Sequence, residues 1–154
     1  MNDFRVVYQD PFEKKPLEKT LSADEALADF RAVDWPRLNA DIIQGDRHVW
    51  ENFYFWEISE PGVGDKDHVL NISGEYTHGK QLQSHGPLLM LTRFIPRQET
   101  RRGFLGLGAP RIRTVVEGPV MEGCTQTFAE QCVVAFLTRD QHFLDTQIFD
   151  RTDD

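Results

Sequence analysis

The stretch Phe128 to Phe149, FAEQCVVAFLTRDQHFLDTQIF, is the strongest constraint on the fold. A five-residue apolar run, Val133 to Leu137, precedes a polar break and a second alternating run. Two apolar segments of strand length across a short break predict a β-hairpin buried in a sheet. A helix over about 128–138 competes, because Thr127-Phe128-Ala129-Glu130 fits a capping box and Phe128, Cys132 and Phe136 fall four apart. The strand reading is preferred because Val133, Val134, Phe136 and Thr138 favour sheet and the second run follows so closely.

Earlier in the chain, Phe4 to Tyr8 predicts a short strand ended by the turn signal Asp10-Pro11, and residues 13–20 (EKKPLEKT) read as a charged connection. Ser22 and Glu25 form a capping box, and Ala26, Leu27, Phe30 and Val33 then fall on one helical face. Trp35-Pro36 interrupts that helix, since the residue before proline avoids helical geometry. Pro36 opens a second short helix with Leu38 and Ile42 on one side and Gly45 past its end.

From Arg47 the period changes to two. His48 to Ile58 carries Trp50, Phe53, Tyr54, Phe55 and Trp56, apolar on both faces, which predicts a central strand or one lining a cavity. Residues 59–67 form a Gly/Pro turn. His68, Leu70, Ile72, Gly74 and Tyr76 then alternate with Asn71, Ser73, Glu75 and Thr77, a half-buried strand or one with its polar face in a pocket. His78 to Pro87 is a loop. Leu88 to Ile95 is a buried strand closed by Pro96, Arg97 to Pro110 a long loop, and Arg111 to Glu117 a further strand. Gly118-Pro119 breaks that strand, and Glu122-Gly123 is a turn. The outline is an α+β fold: a strongly curved antiparallel sheet of about six strands wrapped against one or two N-terminal helices. At 154 residues a single domain, 1–154, is expected.

Charge narrows the partners. The formal net charge of −8 repels DNA and anionic membranes and suits a basic protein. The start, MNDFRVVYQD, lacks a signal-peptide pattern, and no apolar run approaches 18 residues, so a cytoplasmic, membrane-free address is expected. Cys124 and Cys132 would lie about 26 Å apart on one strand or about 12 Å apart on one helix. Both exceed the roughly 7 Å that a bridge tolerates, so reduced thiols are expected unless a turn intervenes.

Two groups of residues could bear chemistry. Between Arg93 and Arg113, six arginines (Arg93, Arg97, Arg101, Arg102, Arg111 and Arg113) face one acid, Glu99. They are anion-binding candidates, since guanidinium grips carboxylate or phosphate bidentately; a solvated hairpin is the competing reading. Glu75, His78, His85 and Tyr54 could perform acid–base work in a pocket. No HxxxH or CxxC spacing occurs, so no metal or cofactor is expected. The pairs His48/Glu51 and His142/Asp145 would face opposite sides if on strands. Gly103 to Gly108 lacks the Lys-Ser/Thr ending of a phosphate loop.

Two functions follow. The first is a non-catalytic binding protein of immunity or inhibitor type, docking a basic protein partner through Asp24, Glu25, Asp29, Asp34, Glu57, Glu60, Asp65 and Asp67. The second is a small enzyme or carrier with an aromatic-lined pocket inside a cone-shaped sheet, doing isomerase-, cyclase- or dehydratase-like chemistry on a small molecule.

Overall fold

A computed structural model describes residues 3–10, 13–38, 54–60, 68–74, 89–101 and 111–148, with side chains omitted for 95–99, 101 and 111–117. The architecture is α+β, built on an open antiparallel sheet. In chain order come β1 (Phe4–Gln9), β2 (Leu17–Leu21), α1 (Ala23–Ala32), β3 (Phe55–Ser59), β4 (Val69–Gly74), β5 (Leu89–Arg101), β6 (Arg111–Glu117), β7 (Val120–Cys124), α2 (Gln126–Leu137) and α3 (Gln141–Gln147). One helical turn, 35–38, follows Asp34. No described helix is long and apolar enough to cross a membrane.

The strand order is β2-β1-β3-β4-β5-β6, with β7 also on β5. All pairings are antiparallel. β6 and β7 act as one strand: β5 pairs Arg101 with Arg111 through Ile95 with Glu117, then Thr92 with Val120 in unbroken register. The ladder therefore has six positions. At the junction Arg93 N–H donates to Pro119 O. A Cβ on Gly118 would stand 1.6 Å from Arg93 O, so only glycine lets the two backbones close. Further on, Leu91 faces Met121 but Leu89 faces Cys124, an extra residue in β7. Gly123, at φ +69°, supplies the positive φ that such a bulge uses.

One face of the sheet and the helices share a core. Phe4, Val6, Trp56, Ile58, Leu70, Ile72, Leu89 and Leu91 meet Ala26 and Phe30 of α1, Trp35 and Leu38 of the helical turn, and Ala129, Cys132, Val133 and Phe136 of α2. Phe4 and Phe136 rings lie 6.3 Å apart, and Phe30 contacts both Trp35 and Trp56 at 5.4 and 5.2 Å. Each fully buried aromatic or aliphatic side chain here contributes about 1.5–3 kcal/mol. β3 lies between β1 and β4, inside the sheet, while residues 48–53 of the expected aromatic strand lie outside the described residues. Leu70 and Ile72 are buried as the alternation implied.

Four expectations are corrected. The expected hairpin at 128–149 is two helices: Thr125 caps α2 by accepting from Phe128 N, and burial of Ala129, Cys132, Val133, Ala135 and Phe136 along one side outweighs the sheet preference of its residues. Residues 17–21, read as connection, form β2 against β1, with Arg5 donating bidentately to Glu18 at 2.7 and 2.9 Å. β5 does not stop at Pro96 but runs to Arg101. The N–H that Pro96 lacks would face the β4 flank, and the β4 pairing ends at Phe94, so no described ladder bond is lost. Glu122-Gly123 lies within β7 rather than in a turn.

Candidate functional site

The α2–α3 hairpin builds an open concavity. α2 ends in a Schellman arrangement: Arg139, at φ +58°, donates its N–H to Phe136 O, and Asp140 N–H donates to Ala135 O at 2.8 Å. Asp140 then caps α3, accepting from Phe143 N at 2.9 Å. Between the two helices lies a groove of about 700 Å³ lined by Gln126, Thr127, Glu130, Gln131, Val134, Ala135, Thr138, Asp140 and Phe143. Val134 is 38% exposed, one of three large hydrophobic side chains so exposed among the described residues.

The acids named from sequence divide by what they already hold. Glu25 closes the capping box with Ser22, and those hydrogen bonds pull its carboxyl below the ordinary range. Asp29 accepts from Lys19 and, at 3.0 Å, from Trp56 Nε1. Asp34 accepts from Arg37 N, Glu57 from Asn71 Nδ2, and Glu60 from Arg139 Nε. Asp24 is exposed in the first turn of α1. Asp65 and Asp67 lie outside the described residues.

Among the arginines, Arg93 is assigned. Its guanidinium, 3% exposed, donates to Asp145 Oδ1 and Gln141 Oε1, both at 2.5 Å, and fastens α3 to β5. Arg93 Nε has no hydrogen-bond partner among the described residues. Asp145 is 61% exposed, so the pair is half buried and half solvated. The β5–β6 register sets Arg101 opposite Arg111, Arg97 opposite Val115 and Glu99 opposite Arg113, a strand pair where a long loop was expected. Arg102 lies outside the described residues.

The proposed acid–base group is represented by Tyr54 alone, since Glu75, His78 and His85 lie outside the described residues. Tyr54 is fully buried, its ring 6.1 Å from Trp35 and its hydroxyl over Gly74, where a Cβ would come within 2.1 Å. Among the described residues neither Tyr54 Oη nor Trp35 Nε1 has a hydrogen-bond partner. Burial pushes the Tyr54 hydroxyl pKa well up, so it is a neutral phenol. Ser73 Oγ, on the opposite side of β4, is also buried and unpartnered. His142 and Asp145 lie on α3, where residues three apart share a side, so the strand argument for separating them does not apply; Asp145 is engaged by Arg93. His48 and Glu51 lie outside the described residues.

Cys124 and Cys132 are buried, unbridged thiols. Burial, with Cys124 nearby, pushes the Cys132 thiol up to about 12, so it is not a nucleophile at neutral pH. Among the described residues no group of three or more His, Cys, Asp or Glu side chains could hold a metal.

The groove was missed from sequence because Val134 and Phe143 were assigned to buried strands. The signal available was the spacing of Thr127, Glu130, Gln131, Val134 and Thr138, which on a helix makes one half-polar line. No family model matches the chain, and neither do any curated protein or any solved structure.

Proposed function

We propose that this chain is a non-catalytic cytoplasmic binding protein that docks a basic protein and neutralises it, in the manner of an immunity protein or inhibitor. The observation that carries this reading is how the charge is distributed. Arg5, Lys19, Arg31, Arg37, Arg93 and Arg139 are each already paired with a carboxylate of the same chain. With 25 acids against 17 lysines and arginines, one-to-one pairing leaves an excess of carboxylate. Such a surface steers cationic partners and covers a cationic active site. The helix-facing side of the sheet is occupied by Phe30, Trp35, Tyr54 and Trp56, which supports docking outside rather than chemistry within.

Affinity capture from the source organism at ordinary salt, read by mass spectrometry, tests the reading. A basic protein should be retained, released by raised salt, and bound more slowly by an Asp24→Lys variant. Recovery of no basic protein, or binding indifferent to salt, would sink it.

A further inference from the structure

We propose that the groove between α2 and α3 seats a basic amphipathic helix of the partner; this rests on the binding-protein reading above. α2 spends one side on the core, and among the described residues the other meets only Arg31, at Glu130. On that other side Thr127, Glu130, Val134 and Thr138 follow at steps of three or four residues, a line about 16 Å long. That matches about three turns of a second helix laid alongside.

The floor of the groove is apolar where the line crosses its middle. Val134 stands exposed between the two helices, flanked by Ala135 and by Phe143 from α3. An exposed valine lowers helix propensity and gains nothing from α2's own packing. It makes sense as an anchor point for an apolar side chain arriving from outside.

Glu130 and Asp140 make the rim acidic, and among the described residues no lysine or arginine lines it. Arg31 directs both its Nε and its Nη2 to Oε1 of Glu130, at 2.9 and 2.6 Å, so Oε2 accepts no bond from that pair. Phe143 N–H takes Oδ1 of Asp140, and Oδ2 is likewise left over. Arg139, next to Asp140, sends its Nε to Glu60 instead. Each rim carboxylate thus keeps an oxygen for an incoming ammonium or guanidinium. A helix with leucine-like residues one turn apart, bordered by lysine or arginine, complements this pattern.

The test uses the full chain and three synthetic peptides about three turns long. One carries leucine at helical spacing among lysines, one alternates leucine and lysine as a strand would, and one replaces lysine by glutamate in the helical pattern. Amide chemical shifts map the contact, and Val134→Lys and Leu17→Lys variants are compared. Both side chains are exposed, at 38% and 53%, so the fold should survive either change.

The helical lysine peptide should shift amides within 126–143, and Val134→Lys should weaken it about tenfold or more. Leu17→Lys should leave it unchanged, and the glutamate peptide should not bind. Absence of binding, shifts centred on β2, loss with Leu17→Lys, or an unchanged affinity for Val134→Lys would each overturn the proposal. Capture of the same basic protein by wild type and by Val134→Lys would remove the groove while leaving the binding reading intact. Capture of none by either would remove the reading itself.

Discussion

Tyr54 and Arg93 are the two residues whose environments ask the sharpest questions. A buried hydroxyl without an acceptor costs about 1–3 kcal/mol relative to one that is paired. Tyr54→Phe keeps the ring against Trp35 and deletes the unpartnered oxygen. Chemical denaturation should therefore show a gain of about 1 kcal/mol. A loss instead would mean the hydroxyl meets an acceptor in solution, which would revive the ligand-pocket reading. Arg93 poses the opposite case. Asp145→Ala strips the carboxylate from a guanidinium that is 3% exposed. Fully buried pairs lose about 3–5 kcal/mol when broken this way. Asp145 is 61% exposed and Gln141 stays, so a loss of about 1–3 kcal/mol is expected, measured by denaturant midpoint at constant m. Neither residue's setting was legible from its neighbours in the chain. Arg93 looked like one member of a basic run, and only the packing of α3 on β5 separates it from the others.

At the scale of elements, α1 was readable because its signals are local. Ser22 and Glu25 sit three apart and the apolar face follows at helical steps, and the structure returns the same capping box. Its pH behaviour follows from the same contacts. Glu25 is held below its unfolded range by the Ser22 hydrogen bonds, so its contribution is present above that range and is lost as pH falls through the lower folded value. A Glu25→Gln variant should accordingly lose less stability than wild type between neutral and acid pH, followed by thermal melts across that interval. α2 was misread for an equally physical reason. Its left-handed exit is filled by Arg139 rather than glycine, so the usual stop signal is missing. Its β-branched Val133 is held helical by burial against distant strands, which no local window contains. The β6–β7 join is the reverse: Gly118-Pro119 reads as a break, yet the register passes straight through it. Gly118→Ala would drive a methyl into Arg93 O and should cost about 3 kcal/mol or more, or prevent soluble expression.

On the scale of the whole molecule, the α+β class and an antiparallel sheet of about six strands were legible, because alternation with period two recurs through the middle of the chain. The helical cover was only half legible, since α2 and α3 join α1 over the same core. The candidate groove was not legible, because it exists only once the C-terminal segment is helical. The sheet's own shape carries one more consequence. β5 has neighbours on both flanks from Leu89 to Phe94, whereas from Ile95 to Arg101 its described pairing is with β6 alone. A two-stranded ribbon of this kind is only marginally stable by itself. In deuterated solvent, the amides of 97–101 and 111–115 should exchange through brief opening events while those of 89–94 wait for global unfolding. The far end of the longest strand would then breathe independently of the body that anchors it.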